Sequence, residues 1–221
     1  MIVAEWFLYF IVYAAIGYVL ESIFCAIEAQ DHKLRGRGFL FGPICPIYGC
    51  GALLVVLCHQ LWPVPLWATF FVTIILCDTL EYLTSFLMEK LFKVRWWDYR
   101  ESMKYTINGR VSLYTSILFG IGGVVIVYFA HPIIEFLIGL LPGVAQVILA
   151  IVLLIIMIID INLSVLAALA IKGEVLKGVK IGLTPEIKKF ARDYYRRHNR
   201  LKRKLQRKLR RRHKHGQSKR G

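Results

Sequence analysis

Apolar residues along the chain gather into five long blocks, 2–28, 41–61, 66–91, 111–131 and 143–171, rather than alternating with polar ones. Roughly 20 helical residues, each rising about 1.5 Å, cross the hydrocarbon core of a bilayer. Each block is long enough, so the pattern predicts an all-α integral membrane protein of about five transmembrane helices. A five-span domain then occupies residues 1–171 and a separate tail residues 172–221. The stretch IIEFLIGLL (133–141), bracketed by Pro132 and Pro142, is too short to cross and reads as an interfacial segment. The first block has no basic leader and is longer than a signal-peptide core, which predicts a retained span.

Charge orients these spans. Twenty of the 29 Lys and Arg fall in 172–221, where Glu174, Glu186 and Asp193 alone oppose them; the other 171 residues carry nine bases and eleven acids. The connector 29–40 holds Lys33, Arg35 and Arg37, and 92–110 holds Lys93, Arg95, Arg100, Lys104 and Arg110. The connectors HQLWPVPLW (59–67) and HPIIEFLIGLLPG (131–143) hold neither Lys nor Arg. Because positive charge stays inside, the N-terminus is expected outside and the C-terminus in the cytoplasm. The connectors with the most distinctive chemistry then face inward.

Two features break the apolar pattern. The second block begins RGRGFLFGPICPIYGCG (35–51), with five glycines and with Pro43 and Pro46. Proline lacks an amide donor, so PICPIYG predicts a bent or partly unwound helix start whose freed backbone groups need protein partners. The third block holds Asp78, Glu81, Tyr82, Ser85 and Glu89. At about 100° per residue these five share one stripe about 100° wide, running from mid-membrane to the cytoplasmic end. Glu21 with Glu28 in the first block, and Asp160 with Asn162 in the fifth, add further polar groups at membrane depth. Buried acids cost several kcal/mol unless paired or watered, and so mark either packing bridges to Arg or a polar path. Asp78 and Glu81, deepest and farthest from any Arg, carry the stronger functional signal. As an i, i+3 pair they resist ionising together.

The loop KVRWWDYRESMKYTINGR (93–110) sets Trp96, Trp97, Tyr99 and Tyr105 among bases, with Asp98 between them and an Asn108-Gly109-Arg110 turn. Aromatics and cations anchor membrane interfaces, but Asp98, Asn108 and Arg110 also supply groups for an anionic headgroup or phosphate. Ser112, Ser116 and Gly120, spaced by four, read as small residues for helix packing. In the tail, Thr184-Pro185-Glu186 starts a helix whose Ile187, Phe190, Tyr194, Leu201, Leu205 and Leu209 recur at helical spacing. Such a basic amphipathic helix predicts attachment to anionic lipids of the inner leaflet. Nucleic acid fits the charge alone and finds no other support. An acidic protein partner is the remaining option.

Catalytic and cofactor signatures are absent from the sequence: no Walker A string, no GxGxxG, no GxSxG elbow and no HExxH. No cofactor is therefore assigned. Five cysteines, 25, 45, 50, 58 and 77, lack CxxC or Cys/His spacing and read as reduced packing residues rather than metal ligands.

GYVLES (17–22), RGFLFGPICPIYGCG (37–51), EYLTSFLMEKLFKVRWWDY (81–99) and NGRVSLYTSILFG (108–120) together resemble the bacterial CmpB-type family of ABC-transporter membrane proteins. The resemblance covers about residues 5–170 and leaves out the tail. It implies a permease-like role in the bacterial cytoplasmic membrane. The positions it marks are Glu21, Arg37, Gly38, Gly42, Pro43, Pro46, Tyr48, Gly49, Glu81, Glu89, Trp97, Asp98, Tyr99, Asn108, Gly109 and Arg110. Without a Walker motif, ATP could act only through a separate ATPase subunit, and five helices make a small pore unless the chain self-associates. Transport along a path lined by Glu21, Asp78, Glu81 and Asp160 is the favoured reading. The alternatives are an inner-leaflet enzyme on lipid headgroups, with Glu81 or Glu89 as acid or base and Arg37 and Arg110 as phosphate clamps, and a non-catalytic adaptor working through the tail.

Overall fold

The computed structural model describes residues 2–29, 39–92, 97–100 and 103–175. Arg37, Trp96 and the tail helix expected from Thr184 lie outside the described residues. Among the described residues six α-helices follow one another: α1 (Ile2–Ala29), α2 (Pro46–Leu61), α3 (Leu66–Phe92), α4 (Leu113–Val125), α5 (His131–Gly139) and α6 (Gly143–Val175). A π-helical turn, Ile126–Ala130, joins α4 to α5, and a two-stranded hairpin, β1 (Thr106–Ile107) with β2 (Val111–Ser112), precedes α4. The chain divides into the unit Met1–Ser164 and the unit Val165–Gly221, of which the end of α6 is described.

Among the described residues four helical stretches are long and apolar enough to cross a membrane: Ile2–Ile23, Leu66–Leu91, Leu113–Gly139 and Gly143–Leu166. The block 41–61 gives a shorter helix than its apolar length suggests. With 16 residues, α2 reaches about 24 Å, less than a hydrocarbon core of about 30 Å. Pro46 occupies its first turn, and Cys45 before it is extended at φ −121° and ψ 95°. The preceding residues lie outside the helix, as the two prolines predict.

Two further boundaries differ from the sequence reading. Residues 111–112 belong to β2, and α4 begins at Leu113 behind a Ser112 capping box in which Ser112 and Thr115 each accept from the other's backbone amide. Residues 133–139 continue the helical run that begins at Leu113, and the run ends at Gly139. Pro132 cannot donate and crowds the turn before it; a π-turn placed there absorbs the mismatch, with the His131 amide donating to Ile126 O.

Close helix approaches rest on glycine. A Cβ at Gly17 would collide with Tyr48, one at Gly49 with Phe10, one at Gly120 with Phe70 and one at Gly123 with Thr73. These contacts lock α1 to α2 and α3 to α4, as small residues do where lipid supplies no hydrophobic drive between helices. A core of Leu8, Tyr9, Tyr13, Ala52, Ile134, Ile138 and Ala150 fills the end that holds the π-turn. On α6, Gln146, Ala150, Leu153, Met157, Asp160 and Ser164 form a less exposed stripe at alternating spacings of four and three, whereas Ile148, Ile151, Ile155 and Ile159 are open on the other face.

Candidate functional site

At the end opposite that core, the polar stripe of α3 meets partners from the loop at Tyr99, the hairpin turn and α4. Asp78 accepts a 2.6 Å hydrogen bond from Ser116 Oγ on α4. Glu81 accepts one from the Tyr99 hydroxyl at 2.9 Å. Tyr82 accepts from Asn108 Nδ2 at 3.0 Å. Arg110 donates to Ser85 Oγ at 3.0 Å and to Glu89 Oε2 at 2.5 Å. Its guanidinium also lies 5.6 Å from the Tyr82 ring centroid and 5.7 Å from that of Phe86. One face of one helix is thus matched, residue by residue, by the loop and helix that follow it.

The hairpin aims these partners. Asn108 (φ 52°) and Gly109 (φ 69°) both take left-handed backbone, and the Arg110 amide donates to Ile107 O at 3.0 Å. Two positive φ values in succession are what a type I′ hairpin turn requires, and Asn-Gly is the pair that adopts them most readily. Beside the turn, the Tyr99 amide donates to Gly109 O at 2.9 Å and Trp97 Nε1 to Arg110 O at 3.0 Å. Tyr99 and Arg110 are thereby fixed side by side over α3. Asp98 lies beside Gly109 and grips Arg100 at 2.7 Å in a local ion pair.

The broken start of α2 contributes from the other flank. Tyr48, admitted by Gly17, donates to Glu21 Oε2 on α1 at 2.8 Å. Glu21 and Asp78 both act electrostatically on Glu81, and Tyr99 acts on Tyr48, so the two tyrosine–carboxylate pairs form one cluster. The freed backbone is secured as well. Cys45 N donates to Ala14 O at 2.8 Å, while Phe41 N and Gly42 N converge on the Asp160 carboxylate at 2.9 and 2.8 Å. Gly42 permits this, since a Cβ there would press on Asp160 Oδ2 at 2.8 Å. Ser164 Oγ donates to Asp160 Oδ1 at 3.3 Å.

The candidates named from sequence therefore divide. Glu21, Tyr48, Asp78, Glu81, Ser85, Glu89, Tyr99, Asn108, Arg110 and Trp97 come together; Asp160 holds the adjoining backbone; Pro46 starts α2 and Pro43 is exposed. Asn162 lies on an exposed face of α6 and donates to its own helix at Ile158 O. Ser116, read from sequence as a packing residue, is instead the donor to Asp78, which itself signalled the need for one.

Burial gives the cluster its chemistry. Glu81 is 5 % exposed, and its Oε2, like Oδ1 of Asp78, has no hydrogen-bond partner among the described residues. Two buried carboxylate oxygens are therefore left to accept from a proton, a water or a donor-bearing solute. Among the described residues no group of three or more His, Cys, Asp or Glu is placed to hold a metal ion.

No curated protein and no solved structure matches the chain. A family model described as "Putative ABC-transporter type IV" matches residues 8–165, well over half of the chain and every member of this cluster, and the chain belongs to that CmpB-type ABC-transporter family.

Proposed function

We propose that this chain is a permease-like membrane component of a transporter, and that the cluster around Glu81 lines its polar path and opens toward the cytoplasm. The observation that carries the reading is Glu81 itself, an acid 5 % exposed within a membrane-length helix, with one oxygen held by Tyr99 and the other unpartnered among the described residues. An ionisable group so placed is costly unless paired or hydrated, and such groups in membrane-length helices mark paths and sites. The non-helical run into α2, its amides held by Asp160 and Ala14, supports the same reading, because discontinuous helices supply backbone groups at transporter binding sites.

On this reading residues 1–171 form the transmembrane domain, in which α2 and the segment before it together make the fifth crossing. The N-terminus lies outside, and the tail 172–221 rests on the anionic inner leaflet of the bacterial cytoplasmic membrane. Energy comes from a separate ATPase subunit. A headgroup-processing enzyme fits less well, since Arg110 is already engaged by Glu89 and Ser85.

The test is purification of the full chain from its native membrane into nanodiscs, with ATP hydrolysis as the readout. A nucleotide-binding subunit should accompany the chain, and its vanadate-sensitive hydrolysis should fall about tenfold, roughly 1.4 kcal/mol of barrier, in Glu81→Gln while the complex stays assembled. An intact membrane component with no such subunit, or hydrolysis indifferent to Glu81→Gln, rejects this function.

A further inference from the structure

The open face of α6 carries a pattern of its own. Val144, Ile148, Ile151, Ile155, Ile158 and Asn162 follow one another at spacings of four, three, four, three and four. The apolar members range from 48 % exposed at Ile158 to 73 % at Val144, and Asn162 is exposed with them. At about 100° per residue they share a stripe about 80° wide, with Asn162 about 160° from the packed Asp160. A four-three repeat of this kind is the seam of a left-handed helix pair. Ile148, Ile155 and Asn162 hold one heptad position, and Val144, Ile151 and Ile158 the other.

Asn162 sets this face apart from one made for lipid alone. It lies in the membrane-length run Gly143–Leu166, and its Nδ2 donates to Ile158 O of its own helix at 2.7 Å. A carboxamide carries two N–H donors and an acceptor oxygen, so that bond leaves one N–H and Oδ1 without a partner among the described residues. Lipid tails offer neither a donor nor an acceptor. Amide side chains on membrane helices accordingly bond across helices.

We propose that α6 packs against α6 of a second copy of this chain, parallel and in register, with the two Asn162 side chains bonded to each other across the seam. Copies of one chain share one orientation in the membrane, so a two-fold axis along its normal sets the same patch of each against the other. The carboxamide complements its own copy there, the remaining N–H of one meeting Oδ1 of the other. Isoleucine and valine suit the rest of the seam, because branching at Cβ leaves them little rotamer freedom to lose on packing. A single polar residue in an apolar seam also fixes its register. No member of the Glu81 cluster lies in the seam, so the pairing stands or falls apart from the transport reading.

The test measures association of the full chain in lipid vesicles. Chains fused to donor and acceptor fluorescent proteins report pairing by energy transfer as lipid is added, and Asn162→Val should weaken it about threefold or more, the worth of one interhelical hydrogen bond. In a chain without other cysteines, Ile151→Cys, Ile155→Cys and Ile158→Cys should each give a disulfide-linked dimer under a membrane-permeant oxidant. Ile156→Cys should not, although Ile156 is 56 % exposed, because it lies about 120° round the helix from Asn162. The energy-transfer measurement keeps the native cysteines and decides the matter should the cysteine-free chain not fold. No transfer at any dilution, transfer indifferent to Asn162→Val, or as much dimer from Ile156→Cys as from Ile155→Cys overturns the proposal.

Discussion

The Tyr99 hydroxyl is the described donor to Glu81, and Arg110 is held at once by Glu89, Ser85 and two rings. Removing either partner leaves the groups it holds without their described donor. Tyr99→Phe should destabilise the protein by about 1–3 kcal/mol, the cost of leaving a buried acceptor without its donor. Thermal unfolding in nanodiscs measures it; an unchanged midpoint would show that the bond contributes nothing. Arg110→Ala should cost about 1.5–3 kcal/mol, held in that range because the Glu89 side chain is 38 % exposed and water screens the ion pair. Arg110→Lys should restore less than half of the loss, since an ammonium cannot reach Ser85 and Glu89 from a planar fork. The acid stripe was legible because helical period alone places Asp78, Glu81, Ser85 and Glu89 on one face. Their partners were not. Tyr48, Tyr99 and Ser116 are hydroxyl donors brought from distant blocks, and no periodicity links a tyrosine to a carboxylate 27 residues away.

Among the elements, the hairpin and the broken helix start are the two devices that build the cluster. Gly109 takes φ 69° and has no room for a Cβ, which would collide with Asp98 and Arg100. Gly109→Ala should therefore loosen the hairpin by about 1–2 kcal/mol, the cost of left-handed backbone for an L-residue. Faster hydrogen exchange at the Arg110 and Tyr99 amides reports it, and unchanged protection there contradicts the role given to the turn. Asp160→Ala removes the carboxylate that the Phe41 and Gly42 amides share. Each should lose at least about tenfold in exchange protection, the equivalent of roughly 1.4 kcal/mol. The Asn-Gly turn and the prolines of PICPIYG announce these elements in the sequence, since both act through local backbone geometry. The π-turn was hidden, because IVYFA carries no break of its own and Pro132 reads as a terminator until the turn before it is seen to absorb it.

For the whole molecule, four membrane-length helices and the family match agree with the all-α membrane class that the apolar blocks predict. The block pattern overstates α2, because apolar length does not reveal where a proline withholds the first turn. Removing residues 184–221 should leave ATP hydrolysis of the assembled complex within about twofold while abolishing binding of the excess charge to anionic vesicles, each Lys or Arg contributing about 1 kcal/mol there. Loss of hydrolysis would favour the adaptor instead. The central claim is that Glu81 sits on a water-filled path open to the cytoplasm. Its most direct test is Glu81→Cys in a chain without other cysteines, exposed to a membrane-impermeant thiol reagent in vesicles of either orientation. Modification is expected in inside-out vesicles and none in right-side-out ones; silence in both, or reaction from the outer face alone, would overturn the cytoplasmic opening.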